Sequence, residues 1–134
     1  MEKTFTMIKP DGVEKKVIGK IVEKLEEKGL KILALKMEQL SKEKAKRLYA
    51  IHLGKDFYNE LIDYVTSGPI VWMILEGENA VKIVRALMGA TDPKEASPGT
   101  IRGDYGMSID KNIIHGSDST ETAAYEISIF QKRD

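Results

Sequence analysis

One of the chain's two histidines lies in the segment NIIHGSDS, residues 112–119, next to a glycine and just before a Ser/Asp-rich stretch. A neutral imidazole is a good nucleophile near neutral pH. Gly116 allows a ligand to approach the backbone closely. Asp118 and Glu121 resemble a capping box, so a helix N-terminus with free N–H groups should begin nearby and favour a phosphate. We therefore predict that His115 meets a phosphoryl group; the alternative is that it only fills a loop.

Three cationic side chains are placed where they could bind that phosphate. Arg102 lies in a glycine-containing segment, Arg85 shares a helical face with apolar residues and should point inward, and Lys9 directly follows a hydrophobic strand. The planar guanidinium suits phosphate oxygens, and a cation facing the interior needs an anion. Each residue alone also fits an ordinary role, an ion pair for the arginines and a solvated amine for the lysine. Taken together with His115, they favour an anion site.

Four further residues have two interpretations each. Thr91 could donate its hydroxyl to a phosphate or cap a turn, and Asn112 could bond a sugar hydroxyl or stabilise a turn. Phe57 could stack on a base or contact Leu61 in the core. Glu126 could fix the tautomer of an imidazole, provided that it faces the histidine.

Two common nucleotide-binding motifs are missing from the sequence. It has neither a GxxxxGK[ST] loop nor a glycine-rich dinucleotide fingerprint after a strand. A nucleotide would therefore bind by a less common route, and a phosphorylated histidine would divide phosphoryl transfer into two steps. The other histidine, His52, shares a helix face with Tyr49, and we interpret it as structural.

Composition narrows the class of protein. The 134 residues predict a single domain spanning residues 1–134. Lys+Arg and Asp+Glu are both 21, so the overall positive field typical of nucleic-acid-binding proteins is missing. With no cysteine, disulfides and thiolate metal sites are excluded. No apolar run reaches membrane-spanning length and no signal-peptide core is present, so we expect a cytoplasmic protein.

The pattern of apolar residues predicts alternating strands and helices. Strands are expected at residues 4–8, 30–37 (mostly buried), 70–75 (central, covered on both faces) and 125–130. Helices are expected after each of the first three strands, with Ser41 and Asn79 as N-caps and Gly29 and Gly89 as stops. This order predicts an α+β ferredoxin-like sandwich, a four-stranded antiparallel sheet with helices on one face. Residues 90–116 lack a sustained period but are too apolar for disorder, so they predict a long ordered functional loop before the histidine.

Four segments together resemble the nucleoside diphosphate kinase family in their order and spacing. They are TMIKPDG at residues 6–12, SGPIV at 67–71, PGTIRGD at 98–104 and NIIHGSDS at 112–119. The resemblance covers essentially the whole chain. It implies an enzyme that moves the γ-phosphate of a nucleoside triphosphate, mainly ATP, to a nucleoside diphosphate by a ping-pong mechanism through a phosphohistidine at His115. Such an enzyme maintains the (d)NTP pools.

The resemblance also implies residue roles. His115 would be phosphorylated on Nδ1, Glu126 would hydrogen-bond the other ring nitrogen, and Ser117 would assist that contact. Phosphate, ribose and base would be bound by Lys9, Asn112, Tyr49, Arg85, Thr91, Arg102, Phe57 and Leu61. Within that set, Phe57 would stack on the base and Leu61 would line the same slot. Mg²⁺ would come with the nucleotide, bridge its phosphates and be held mainly by them; no dedicated carboxylate cage for it is visible in the sequence.

The resemblance finally implies a homo-oligomer, either a hexamer or a tetramer, with residues 90–116 near subunit contacts. The C-terminal segment, residues 130–134, is shorter than in many members, where it affects those contacts. Residues 52–56 depart from the commoner forms and should tune the nucleotide slot. Neither a membrane nor a specific nucleic acid is an expected partner. The rival functions are a non-enzymatic nucleotide-binding regulator, which would not need His115, and a nucleic-acid-binding role.

Overall fold

The computed structural model describes residues 1–131. Residues 132–134, part of the C-terminal segment expected to influence subunit contacts, lie outside the described part. The four strands are β1 (Glu2–Ile8), β2 (Lys31–Glu38), β3 (Ile70–Gly77) and β4 (Ile114–Gly116). The helices are α1 (Pro10–Glu14), α2 (Ile18–Glu27), α3 (Lys42–Leu48), α4 (Tyr58–Val65), α5 (Ala80–Met88), α6 (Ile101–Tyr105) and α7 (Thr120–Phe130), with a 3₁₀ turn at Ala50–His52.

The strands form one antiparallel sheet in the order β2-β3-β1-β4, which confirms the predicted ferredoxin-like α+β class. Helices cover both faces, however, so the expectation of helices on one face is wrong. Side chains such as Phe5 and Trp72 pack with α3, α4 and α7. Their neighbours, among them Ile8 and Met73, pack with α2, α5 and α6. The reason is that β1 and β3 carry buried residues on both faces, so each face needs its own apolar layer.

The fourth strand is not the one predicted. Residues 125–130 belong to α7, and the fourth strand is the three-residue β4, which contains His115. The helix begins one residue after Ser119, whose hydroxyl accepts a hydrogen bond from the Thr122 N–H at 3.0 Å. Once started by this cap, the helix continues through the alternating residues, because Ala123, Glu126 and Ile129 then all face inward. The cap is Ser119 rather than the predicted Asp118.

Strand β2 is half-exposed rather than mostly buried. It lies at the sheet edge with β3 as its only strand neighbour in the described part of the chain. Leu35 and Met37 are 49% and 52% exposed. An edge strand presents unpaired backbone groups on its outer side. The apolar composition of β2 therefore does not reflect burial within this chain.

The long segment before the histidine is ordered, as predicted, and has structure of its own. It contains α6, capped by the Thr100 hydroxyl, which accepts from the Gly103 N–H at 3.1 Å. The Lys24 ammonium donates to the Gly99 carbonyl at 3.0 Å and so connects the segment to α2. Gly89 ends α5 as expected, whereas the Asn79 side chain makes no cap bond. Among residues 1–131, no helix is both long and apolar enough to cross a membrane.

The order of residues 90–116 leads to a stability prediction. A Cβ at Gly103 would lie 2.1 Å from the Ser97 carbonyl oxygen, so Gly103→Ala must push backbone apart. We expect a loss of about 1–3 kcal/mol in the free energy of unfolding, measured by urea denaturation. Gly19→Ala in α2 is the control, because a Cβ there meets nothing within 4 Å. It should raise stability by about 0.5–1 kcal/mol. Equal effects of the two changes would contradict the close packing at Gly103.

Candidate active site

A cavity of about 660 Å³ opens beside His115 between α3, α4 and the segment that ends in β4. All the predicted site residues except Ser117 line it. Helices α3 and α4 contribute one wall, and the segment 102–116 contributes the other. The residues that sequence analysis predicted from distant parts of the chain therefore come together in one place.

His115 is held between a strand and a helix. Its backbone pairs with Met7 across the β1–β4 ladder. On the ring, Nε2 lies 3.0 Å from both carboxylate oxygens of Glu126, which is buried on α7. Donation of the Nε2 proton to this carboxylate leaves the lone pair on Nδ1, the nitrogen that can act as a nucleophile. The Ser117 hydroxyl donates to Glu126 at 2.6 Å and fixes the carboxylate from behind, outside the cavity wall.

Gly116 lines the cavity, and packing gives it a further reason to be glycine besides the expected approach of a ligand. A Cβ there would lie 2.4 Å from the Met88 sulfur and 3.4 Å from Val84. The residue therefore permits β4 to pack closely on α5.

Two buried cations form the floor of the cavity. Lys9 and Arg102 are only 7% and 6% exposed. The Lys9 ammonium donates to the Asn112 side-chain oxygen at 2.8 Å. The Arg102 guanidinium donates to the backbone carbonyls of Gly89, Asn112 and Ile114 at 3.2, 3.3 and 2.7 Å. Within residues 1–131 neither cation forms a salt bridge with a carboxylate, so the predicted alternative of a buried ion pair does not apply to Arg102.

The buried charges perturb one another. Burial, followed by the charge of Arg102, lowers the pKa of the Lys9 ammonium to about 8. Burial, followed by the charge of Arg85, lowers the pKa of Arg102 to about 10. Both shifts have the direction expected for buried cations that form no ion pair, and for Lys9 the charges of Asp11 and Asp110 act in the opposite direction without cancelling the shift. The floor of the cavity is thus prepared for a negatively charged ligand.

Arg85, Thr91 and Asn112 also reach the cavity, but not as expected in every respect. Arg85 is exposed rather than inward, and its guanidinium donates to the Gly116 carbonyl at 3.3 Å. Thr91 is exposed, and its carbonyl accepts from the Asn112 amide at 3.0 Å. Because Asn112 is bonded to Lys9 as well, both ends of its amide are engaged. Asn112 therefore orders the site in addition to lining it.

Tyr49 places a hydroxyl in the cavity wall that is buried and unbonded. Its oxygen has no hydrogen-bond partner within residues 1–131. The ring packs edge-on against His115 with centroids 5.5 Å apart. Burial, followed by the charge of Glu126, raises the pKa of Tyr49, so the hydroxyl stays protonated as a donor. A buried polar atom without a partner is unusual and fits a group reserved for a ligand.

The outer part of the cavity is apolar and aromatic. Phe57 is 45% exposed at its mouth, with Leu61 beside it. His52, interpreted from the sequence as structural, also lines this part, with its ring 5.2 Å from Phe57. Its position three residues after Tyr49 could have indicated this, since both face one side. Other lining residues that the sequence analysis did not select are Leu48, Ile51, Glu60, Tyr64, Ile109, Asp110, Lys111, Asp118 and Thr122.

The possible metal ligands of the described residues are too dispersed to hold an ion. In residues 1–131 no group of three or more His, Cys, Asp or Glu side chains could hold a metal ion. The carboxylates of the cavity wall, Glu60, Asp110, Asp118 and Glu126, do not form such a group. Residues 1–131 by themselves therefore supply no metal cage.

Comparison with known proteins identifies the family. The family model described as nucleoside diphosphate kinase matches residues 2–134. The nucleoside diphosphate kinase of Metallosphaera sedula is 57% identical over 129 residues, which are 96% of this chain and 92% of that protein. The corresponding protein of Archaeoglobus fulgidus is 52% identical over 134 residues, which are 100% of this chain and 89% of that protein.

Solved structures agree with this result. The nucleoside diphosphate kinase of Encephalitozoon cuniculi superimposes with a TM-score of 0.97 at 43% identity, covering 100% of this chain and 91% of that one. A halophilic nucleoside diphosphate kinase from Halobacterium salinarum, solved in complex with CDP, gives 0.95 at 47% identity, covering 98% and 88%. The chain therefore belongs to the nucleoside diphosphate kinase family of phosphate-transferring enzymes.

Proposed function

We propose that the chain transfers the γ-phosphate of a nucleoside triphosphate, mainly ATP, to a nucleoside diphosphate by a ping-pong mechanism through phospho-His115. The observation that carries the proposal is the contact of His115 Nε2 with Glu126 at 3.0 Å, which directs the nucleophilic lone pair to Nδ1. A regulator that only binds nucleotides would not require this pairing.

The chemistry balances in two half-reactions. In the first, the Nδ1 lone pair of His115 attacks the γ-phosphorus, the bond from phosphorus to the bridging oxygen breaks, and the diphosphate leaves with that electron pair. The resulting ring carries a positive charge, which the Glu126 carboxylate stabilises through Nε2–H. In the second, a terminal oxygen of the acceptor diphosphate attacks the phosphorus, and the N–P electron pair returns to Nδ1.

The cations supply electrostatic stabilisation of the transferred group. Lys9 and Arg102 lie buried at the cavity floor and Arg85 at its rim, so negative charge developing on the phosphoryl oxygens would meet donors already in place. The free hydroxyl of Tyr49 would add a neutral donor beside His115. Thr91 and Asn112 would complete the contacts to phosphate and ribose. Ser117 would act by holding the Glu126 carboxylate.

The base would lie in the outer, apolar part of the cavity. The exposed ring of Phe57 would stack on it, and Leu61 would line the same slot. Stacking uses the π-face that every base has, so it discriminates weakly among bases. Broad tolerance of nucleotides, in keeping with a role in maintaining (d)NTP pools, follows from this arrangement.

We propose that Mg²⁺ enters as part of the substrate, held by the nucleotide phosphates. The lack of a three-residue metal cluster in the described part of the chain supports this, because an ion bound to phosphates needs few protein ligands. Bound in this way, the ion would neutralise part of the phosphate charge.

We also propose that residues 1–134 act as one kinase domain in the cytoplasm, as a homo-oligomer, either a hexamer or a tetramer. The exposed apolar side chains of edge strand β2, Leu33, Leu35 and Met37, support self-association. Exposed apolar groups on a sheet edge favour contact with another chain. A second contact through residues 90–116 would use exposed Met107 and Ile109.

The phosphohistidine can be tested directly. Incubation with γ-labelled ATP should give a phosphoprotein that is labile to acid and stable to base, and addition of GDP should discharge it. His115→Ala should abolish the label because no nucleophile remains, whereas His52→Ala, which removes the only other histidine, should still form it. Retention of the label in His115→Ala would rule out the proposed mechanism. A stable nucleotide complex that never forms the label would favour a regulator.

The lowered pKa of Lys9 predicts a pH dependence. Below about pH 8 the ammonium is charged and attracts phosphate; above it the free protein loses this charge, so binding must take up a proton. The association constant for ADP should therefore fall with rising pH, approaching roughly tenfold per pH unit well above pH 8. Calorimetric titration between pH 7 and 9.5 measures it. Lys9→Met should bind more weakly at pH 7 and lose this slope. An unchanged slope in Lys9→Met would show that another group is responsible.

The assembly proposal predicts the effect of a charge on β2. Leu35→Glu should shift the protein to a smaller species, because burying the new carboxylate in an apolar contact is unfavourable. Light scattering after size exclusion gives the mass. Lys36→Glu is the control, since the neighbouring exposed side chain points to the other face of the strand. If both variants kept the mass of the unmutated protein, β2 would not be a subunit contact.

A further inference from the structure

The backbone just before the nucleophile makes a strained turn. The Ile114 N–H donates to the Asn112 carbonyl at 2.8 Å, which closes a three-residue γ-turn. Its central residue, Ile113, has a φ of +75°. A β-branched residue is rarely found there, because its side chain collides with the backbone. Such a conformation persists only where the surroundings impose it, and it is typical of functional sites.

Groups from the start of α1 hold this conformation. The Asp11 carboxylate oxygen Oδ2 accepts from the Ile113 N–H at 3.0 Å. The Lys9 backbone N–H donates to the Ile113 carbonyl at 2.7 Å. Both polar groups of the strained residue are thus bound by a segment about a hundred positions away in the chain. The side chain of Ile113 is fully buried as well.

The strained turn matters because it lies between two residues of the site. On one side lies Asn112, whose amide joins Lys9 and Thr91, and two residues beyond Ile113 lies His115. If Ile113 relaxed to an ordinary backbone conformation, the direction of the chain between Asn112 and His115 would change. A displacement of about 1 Å at reacting atoms is enough to slow a reaction strongly.

Asp11 also contacts the wall that carries the base slot. Its backbone N–H donates to the Tyr64 hydroxyl at 2.9 Å, and Tyr64 lines the cavity from α4. Burial raises the pKa of Tyr64, so the phenol stays neutral. The second carboxylate oxygen of Asp11 is buried without a partner among residues 1–131. Burying that oxygen is unfavourable, which argues for a role in the site rather than in stability alone.

We propose that Asp11 is a positioning residue for phosphoryl transfer: its carboxylate clamps the γ-turn at Ile113 and so orients Asn112 and His115, while its backbone joins α1 to α4. Asp11 does not line the cavity and acts through these neighbours. The inference rests on the proposed transfer through His115. The inference gives Asp11 a role in that reaction although Asp11 makes no contact with the nucleotide.

Single-turnover phosphorylation of His115 by saturating γ-labelled ATP tests the proposal. Asp11→Ala removes the acceptor and should slow phosphorylation roughly 10–100-fold, the effect of losing one hydrogen bond to a charged group. The dissociation constant for ADP should change much less. Asp11→Asn keeps an oxygen that can accept from the Ile113 N–H and should restore most of the rate. Asp63→Ala, which removes an exposed carboxylate on α4, is the matched control and should react at the normal rate.

Two results would overturn the proposal: phosphorylation by Asp11→Ala at the normal rate, or an Asp11→Asn protein that is folded but as slow as Asp11→Ala. A readout that does not depend on the reaction is the Ile113 amide proton. In the unmutated protein it should exchange slowly and resonate downfield, as expected for a bond to a carboxylate, and it should move upfield in Asp11→Asn. A rapidly exchanging Ile113 amide would refute the clamp even if Asp11→Ala did not fold. If the unmutated protein formed no phosphoenzyme while this amide behaved as described, the transfer through His115 would fail and the clamp would stand.

Discussion

The buried positive charge of Arg102 is the constraint around which the reactive side of the molecule is organised. With no carboxylate paired to it in residues 1–131, its burial is unfavourable until an anion enters the cavity. Its donors meanwhile bind the carbonyls of Gly89, Asn112 and Ile114, which joins the end of α5, the γ-turn and β4. The same side chain thus provides electrostatic attraction for phosphate and the scaffold that keeps the attracted group in register with the nucleophile.

The proposed nucleophile takes its rigidity from the sheet. His115 pairs with central strand β1, and Glu126 is on α7, a helix that packs against the same strand. The 3.0 Å contact between the two is therefore fixed by two elements that both pack against β1. The base slot differs, since Phe57 lies at the exposed start of α4 beside an irregular turn. If the reaction and the base contact are as proposed, the first is carried by rigid elements and the second by a more adaptable one, which fits the proposed tolerance of several bases.

The sequence predicted the interior elements more reliably than the edges. Strands β1 and β3 and helices α2 and α5 follow clear apolar periods bounded by glycine, proline or polar caps. Residues 125–130 alternate like a strand, but six residues of alternation cannot outweigh a helix already capped at Ser119. The exposure of Leu35 depends on the order of strands in the sheet, and periodicity carries no information about which strand is last. Sequence reasoning therefore fails where neighbours, rather than local preference, decide.

The same distinction applies to the site. Residue types, their order along the chain and the family resemblance predicted ten of the side chains that line the cavity, yet not what each is bonded to within the protein. No local preference would place Ile113 in the left-handed region, because the preference of a β-branched residue opposes it. The group that makes this conformation possible, Asp11, is 102 positions earlier and has no signature beyond a turn-forming Pro-Asp-Gly. A strained backbone conformation can therefore help to identify positioning residues. The group that accepts a hydrogen bond from the N–H of the strained residue is a candidate for the one that fixes the geometry of His115.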